Sequence, residues 1–158
     1  AEATISGETL RRVLRTTAAD LIALEHAGIH GSIASDMQSV VATPASTIAA
    51  IFAATGQDLG MVGTSSMAHE VLEPVEDGVH LSIRLSSLEV GTVGGGTVLP
   101  YARAYLSLMR CSGPGSAYRL AQIVAAATLC LDLSTSAAMA SAGSENFATA
   151  HLKQSGRA

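Results

Sequence analysis

Aromatic and charged residues are both scarce in this sequence. It has no tryptophan, aromatic residues make up 3% of its 158 residues, and charged residues make up 14%. Hydrophobic residues nevertheless account for 48%, most of them Ala, Val, Leu and Ile, so the core is expected to consist of small side chains. The length predicts a single domain over residues 1–158. A domain of this size does not bury such an apolar excess alone, which favours a homodimer or higher homo-oligomer.

Positive charge is also limited, and this disfavours two classes of partner. Nine Lys and Arg face 13 Asp and Glu, for a net charge of −4, and no basic stripe runs along the chain. Nucleic acid and anionic membranes are therefore not expected as partners. The longest apolar run, residues 123–131, is shorter than the about 18 residues of a membrane span, and residues 1–8 lack a signal-peptide pattern. We expect a cytoplasmic protein without a membrane partner.

Cysteine is rare, which excludes a disulfide framework. Cys111 and Cys130 are isolated and predict free thiols, as is usual in a cytoplasmic protein. Neither they nor the five histidines show the spacing of metal ligands. We therefore expect no metal site.

Hydrophobic periodicity predicts an α+β fold that is mainly helical, with a short strand element. Helical patterns begin at Ser6, which can cap a helix ending at Gly28, and at Pro44, which suits a first turn before a stop at Gly56. Further helices are predicted over residues 101–110, 120–131 and 134–152. Alternation predicts a half-buried strand at 79–85 after a turn at 76–78, with a second extended piece at 88–90 and a loop at 57–65.

Glycine is concentrated in one segment, L-E-V-G-T-V-G-G-G-T-V-L, directly after the extended piece. Gly91, Gly94, Gly95 and Gly96 fall within six residues. Leu99 occupies the place of the last glycine of a dinucleotide fingerprint, and there is no phosphate-binding G-x-x-x-x-G-K-[ST] or nucleophilic G-x-S-x-G motif. Two interpretations remain open: close crossing by another segment or subunit, or a ligand resting on bare backbone N–H groups.

Four separated segments resemble one enzyme family. S-L-E-V-G-T-V-G-G-G-T is similar to the signature of hydroxymethylglutaryl-CoA reductase, and I-F-A-A-T-G-Q-D, which ends at Asp58, is similar to the segment with the family's catalytic aspartate. Residues 119–134 resemble a late helix of that catalytic domain, and A-H-L-K at 150–153 resembles the segment with its catalytic histidine. The resemblance implies a remnant of the large domain with a short antiparallel strand element and without the nicotinamide-binding small domain. It also implies pairing with a second copy at the active site.

The resemblance further implies the site residues. Asp58 and His151 correspond to the catalytic aspartate and histidine, although each could equally be an ancestral surface residue without a role. Glu89 is expected beside the glycine loop. It has either a structural role, in which it binds backbone N–H groups of the loop, or a role in contacting a ligand. The predicted ligand-binding residues are Glu89, Gly91, Thr92, Gly94, Gly95, Gly96 and Thr97.

Several positions depart from the family pattern. The family's catalytic glutamate and lysine lie upstream of the matched segments. The family has Asn-Ala-His-Ala before the helix that leads to the aspartate, and this chain has Ala42-Thr43-Pro44-Ala45 there. The family's basic residue after the first helix is replaced by the Ala27-Gly28 region. Residues 59–61, which follow G-Q-D, differ from the residues of the family at these positions. The acidic residue of the late helix keeps its charge but has a shorter side chain, as Asp132.

These departures predict a diverged homologue that no longer transfers hydride and needs no cofactor. The preferred hypothesis is a biosynthetic cyclase or isomerase that acts on a small apolar polyketide or terpenoid-like molecule in a dimer-interface cleft. An apolar cleft with an acid–base pair suits that chemistry. The alternatives are a non-catalytic binding or assembly module, and a fragment of a genuine NADPH-dependent reductase.

Overall fold

A three-stranded antiparallel sheet forms around the strand that alternation predicts. The structure is a computed structural model that describes residues 1–37 and 41–141. In it, β1 (Glu2–Ser6), β2 (Ala68–Val75) and β3 (Gly78–Leu85) pair in the order β1-β3-β2. Val79, Leu81 and Ile83 are buried and alternate with more exposed residues, which confirms the half-buried strand.

The other two strands were not predicted, and the extended piece at 88–90 is not a strand. β1 is five residues long and finds its partner at distant β3, where Glu2 pairs with Ser82. β2 carries charged residues and Pro74, which weaken a strand pattern in sequence. Residues 88–90 pair with no strand; instead the Glu89 N–H donates to Ser65 Oγ at 3.1 Å.

The N-terminal helical segment is broken, so the prediction of one helix ending at Gly28 is wrong. A short helix α1 (Gly7–Thr9) leads into a π-helical turn (Leu10–Leu14), and the chain then reverses at Arg15, where φ is +57°. α2 (Ala18–Ala34) begins anew because Thr17 Oγ1 accepts the Asp20 N–H, an N-cap that the sequence analysis missed. α2 continues past Gly28 because interior glycine weakens a helix without necessarily ending it.

The next helix, α3 (Pro44–Thr55), begins and ends where predicted. Pro44 occupies the first turn, and Gly56 ends the helix in the left-handed conformation with φ +67°. The predicted loop after it instead contains a 3₁₀ turn (Leu59–Met61) and a short helix α4 (Val62–Ser65).

Two C-terminal helices complete the main core. α5 (Pro100–Leu108) matches its prediction, and the break at 112–115 is confirmed. α6 (Ala117–Ala140) runs through residue 134 without interruption, so the separate helix predicted from there is wrong as far as residue 140. Ile48 and Phe52 of α3 pack with Leu106 of α5 and with Leu120 and Val124 of α6.

Within the described part of the chain, α6 is the one helix long and apolar enough to cross a membrane by length and composition. The expectation from apolar runs overlooked it because Gln122 and Asp132 bound the apolar run 123–131 inside the helix. Core helices meet the same criterion, and here α6 packs against α2, α3 and β3.

The fold class is thus confirmed at the level of an α+β structure, 59% helical with a small antiparallel sheet. The single domain over 1–158 and the lack of a nicotinamide-binding small domain stay predictions.

Candidate functional site

An open groove brings the end of α3 beside the glycine loop, which we define as residues 91–97. The groove has a volume of about 880 Å³, and its lining includes Asp58, Glu89 and the glycine loop except Thr92. Its other walls are largely apolar and come from residues that flank these segments: Met61, Leu88, Val90, Leu99 and Tyr101. A carboxylate beside bare backbone and apolar walls can orient a ligand that is partly polar and partly apolar.

Gln57 joins the two sides of this groove. Its Nε2 donates to Gly91 O at 2.9 Å, and its Oε1 accepts the Gly91 N–H at 2.8 Å. Nε2 also donates to Thr55 O at 3.2 Å, so the amide is held from the end of α3. In the sequence Gln57 stands out only as part of G-Q-D, and its role as a positioning residue was not predicted.

The glycines answer two different requirements. Gly56 and Gly96 cross so closely that a Cβ at Gly96 would lie 2.5 Å from Gly56 O, and a Cβ at Gly56 would meet the Gly96 carbonyl. By contrast, Gly91, Gly94 and Gly95 have no atom within 4 Å of an added Cβ, and the last two have φ of +79° and +55°. Close crossing therefore accounts for Gly96, whereas Gly94 and Gly95 present bare backbone to open space.

Asp58 lines the groove and directly follows Gln57 in the sequence. Its side chain is exposed, and its Oδ1 accepts the Gly60 N–H at 2.9 Å, which caps the following 3₁₀ turn. The carboxylate is therefore held in place through one oxygen. The second oxygen remains available to a group bound in the groove.

Glu89 also lines the groove. Its backbone N–H donates to Ser65 Oγ at 3.1 Å, and within residues 1–37 and 41–141 its side chain makes no hydrogen bond to the loop. The loop is held instead by Gln57. Both interpretations of Glu89, a structural role and a role in ligand binding, stay predictions.

The two threonines of the loop are buried and use their hydroxyls within the fold. Thr92 Oγ1 donates to Gly113 O at 2.8 Å, which ties the loop to the turn before α6. Thr97 Oγ1 donates to Gly94 O inside the loop. Their predicted ligand contacts are untested, and so are those of the loop glycines.

His151 lies outside the described residues, so the structure does not place it relative to Asp58. No group of three or more His, Cys, Asp or Glu suited to a metal ion occurs within residues 1–37 and 41–141. Across the same ranges both Cys111 and Cys130 are free thiols.

Comparisons with known proteins match a part of the chain that includes the segments forming the groove. The family model for hydroxymethylglutaryl-coenzyme A reductase matches residues 1–155. A 3-hydroxy-3-methylglutaryl-coenzyme A reductase of Aeropyrum pernix is 43% identical over 146 residues, covering 89% of this chain and 35% of the relative. Reductases of Aspergillus terreus and Arabidopsis thaliana are 37% and 40% identical, covering 99% and 88% of the chain.

The scaffold is mainly helical α+β and places a carboxylate beside a glycine loop. Together with these relatives, it indicates a protein related to enzymes. The chain belongs to the hydroxymethylglutaryl-coenzyme A reductase family. It spans about a third of the length of the Aeropyrum relative, and 16% and 25% of the Aspergillus and Arabidopsis relatives.

Proposed function

We propose that this chain supplies the Asp58 and glycine-loop part of an active site that reduces an acyl-CoA thioester. The observation that carries this proposal is the pair of hydrogen bonds between Gln57 and Gly91, because they unite the G-Q-D segment and the glycine signature in one groove. Both segments match the family, and the chain covers only part of its relatives. This is the fragment alternative given above, and the family match over residues 1–155 together with the partial coverage of the relatives supports it.

The residues present fit a nicotinamide cofactor in one respect. Gly94 and Gly95 leave open the space that a Cβ would fill, so their backbone would help to hold the group. When bound, a reduced nicotinamide cofactor would supply one hydride, so two cofactor molecules in succession would be needed to turn a thioester into an alcohol.

Asp58 would hold or accept a proton through the oxygen that Gly60 does not engage. In the family the aspartate tunes a lysine and the reacting oxygen. That lysine and the catalytic glutamate lie upstream of the matched segment. The proposal therefore requires both groups to be supplied by protein outside this sequence.

A second candidate function is the cyclase or isomerase acting on a small apolar molecule. Two observations favour it: the apolar walls from Met61, Val90 and Leu99, and the replacement of the family's histidine by Pro44. Pro44 is buried at the start of α3 and cannot serve as a proton donor. Such a reaction would need the shape of the groove and Asp58, without hydride.

A second copy of the chain is the partner that we propose. Tyr101, Tyr105 and Leu108 share one face of α5 and are half or more exposed, with Leu108 at 80%. Reductases of this family are generally oligomeric, which fits burial of this face. Light scattering on the purified protein should give at least twice the mass of one chain. A monomer at micromolar concentration would contradict the proposal. That result would favour a binding or assembly role with another protein.

The decisive experiment measures NADPH oxidation that depends on hydroxymethylglutaryl-CoA, using the product of the complete gene. We expect the wild-type protein to be active and Asp58→Asn to lose roughly 100-fold or more in kcat. Asn keeps an oxygen that can accept the Gly60 N–H, so the fold is preserved. Asp36→Asn is the matched control, because Asp36 is exposed and its φ of +55° suits asparagine.

The other outcomes separate the candidates. Wild-type protein that oxidises no NADPH would overturn the reductase proposal and favour the cyclase or isomerase. An active protein whose Asp58→Asn variant retains full kcat would remove Asp58 from the chemistry.

A further inference from the structure

The glycine loop borders a second cavity besides the groove. This cavity, which we call the α5 cavity, has a volume of about 630 Å³, and the loop residues Val93, Gly94 and Thr97 line both spaces. Its other walls come from one face of α5 and from the turn at residues 112–114 that precedes α6. One loop therefore borders two spaces, and the proposed active site uses only the groove.

The walls of the α5 cavity are joined to one another by the fold. Thr92 Oγ1 donates to Gly113 O at 2.8 Å, which connects the glycine loop to the turn. The Cys111 N–H donates to Leu106 O at 2.7 Å, which connects the start of the turn to α5. Leu106 lines the cavity, is 2% exposed, and packs with Phe52 in the main core. The cavity is therefore formed before any ligand enters, as is usual for small-molecule sites.

Arg103 gives the α5 cavity a positive charge. Among the described residues that line it, Arg103 is the only charged one, and no Asp or Glu is present. Its side chain is exposed, and its guanidinium makes no ion pair or hydrogen bond within residues 1–37 and 41–141. The whole chain has a net charge of −4, so this lining is a local exception that favours an anion.

The rest of the lining indicates what kind of anion fits. The hydroxyl groups of Ser107 and Ser112 can donate further hydrogen bonds to it. Most of the remaining side chains are apolar: Val93, Val98, Pro100, Ala104, Leu106 and Pro114. A guanidinium binds a carboxylate through two parallel hydrogen bonds, and the apolar walls favour a hydrocarbon body on the same molecule.

We propose that the α5 cavity binds a small organic acid. Its carboxylate pairs with Arg103, and its apolar body lies against the side chains of Val98 and Leu106. Because Val93 and Gly94 also line the groove, the bound acid holds the wall that the two spaces share. This binding site does not depend on whether the groove performs reductase or cyclase chemistry.

The proposed contact with a second copy leaves this cavity accessible. Arg103 and Ser107 are four residues apart and lie on one face of α5, whereas Tyr101, Tyr105 and Leu108 share another face. The α5 cavity is lined by residues of the first face, and none of the three apolar residues of the second face contributes to it. A dimer through the second face can therefore still bind the acid.

The first test measures octanoate binding to the product of the complete gene by isothermal titration calorimetry. The wild type should bind octanoate with a Kd below about 1 mM, and Arg103→Gln should weaken binding about tenfold. Arg84→Gln is the matched control, because Arg84 is exposed on β3 and does not line the cavity. No measurable binding to the wild type, or equal affinity of Arg103→Gln, would overturn the proposal.

Two further probes separate the charge of octanoate from its apolar body. Octanol has the hydrocarbon chain without the carboxylate, and inorganic phosphate has the negative charge without the chain. Each should bind the wild type at least tenfold more weakly than octanoate. Octanol of equal affinity would contradict carboxylate recognition by Arg103, and phosphate of equal affinity would contradict the role of the apolar walls.

A chemical footprint locates the bound octanoate. Phenylglyoxal modifies exposed arginine side chains, and mass spectrometry measures the rate at each residue. Saturating octanoate should slow modification of Arg103 severalfold and leave the rate at Arg84 unchanged. Hydrogen exchange of a peptide that contains residues 91–97 should also slow, because the ligand contacts the glycine loop. Octanoate that binds without protecting Arg103 would lie elsewhere, for example in the groove, and would overturn the α5 site.

Discussion

Gln57 and Gly91 face each other across 34 residues of sequence and exchange two hydrogen bonds, at 2.9 and 2.8 Å. A side-chain amide here imitates the pairing of two backbone strands, because it donates to the carbonyl and accepts from the N–H of the same residue. The bonded pair holds the start of the glycine loop against the end of α3.

Replacing Gln57 should therefore loosen the glycine loop. Gln57→Ala leaves the N–H and C=O of Gly91 without their partner and should cost about 1–3 kcal/mol in the free energy of unfolding. Hydrogen exchange of the Gly91 amide, followed by NMR, should accelerate in the variant. Gln122→Ala, at an exposed position on α6, is the matched control and should change stability by less than about 0.5 kcal/mol. Unchanged protection of the Gly91 amide in Gln57→Ala would show that the loop is held by other contacts.

Alanine should destabilise the protein at one glycine of the loop and be tolerated at another. At Gly96 the new Cβ would lie 2.5 Å from Gly56 O, so backbone must shift and the loss should be about 1–3 kcal/mol or more. At Gly91 no atom lies within 4 Å of the added Cβ, and alanine should be tolerated. Urea midpoints of Gly96→Ala and Gly91→Ala measure the difference. If the two variants were equally stable, the close crossing of Gly56 and Gly96 would not constrain the fold.

Two buried threonines of α3 provide a matched pair for the value of a hydroxyl hydrogen bond. Thr55 Oγ1 donates to Ile51 O at 2.6 Å, whereas Thr47 Oγ1 is buried without a partner among residues 1–37 and 41–141. Thr55→Val should cost about 0.5–1.5 kcal/mol, and Thr47→Val should be neutral or stabilising because valine removes an unpaired hydroxyl. Thermal unfolding of both variants checks the order. A larger loss for Thr47→Val would mean that its hydroxyl has a partner elsewhere in the protein.

Elements set by local chemistry were predictable from sequence. Pro44 and Gly56 bound α3 because one fixes φ at a first turn and the other adopts the left-handed conformation that ends a helix. The strand β3 was also predictable, because side chains of a strand point alternately to its two faces and leave an alternating pattern in the sequence. The break at Arg15 was missed, although Thr17 and Asp20 carry a capping signal that lies within an apparently continuous apolar stripe.

Contacts between distant segments were not predictable in this way. β1 has little strand pattern of its own and becomes a strand because β3 offers it hydrogen bonds. The site shows the same limit: Asp58 and the glycine loop were identified by family resemblance, but Gln57 was not recognised as the residue that joins them.

The sequence by itself determined the helix-bounding signals, the buried face of β3 and the family, because each is written in residues close together or in motifs that match relatives. Only the tertiary structure decided that Gln57 would pair with Gly91, that Gly96 would cross Gly56, and that Asp132 would bind Thr43, 89 residues away. The physical reason is that hydrogen bonds and steric contacts act over a few ångströms. Which distant groups come that close is decided by how the helices and sheet pack together.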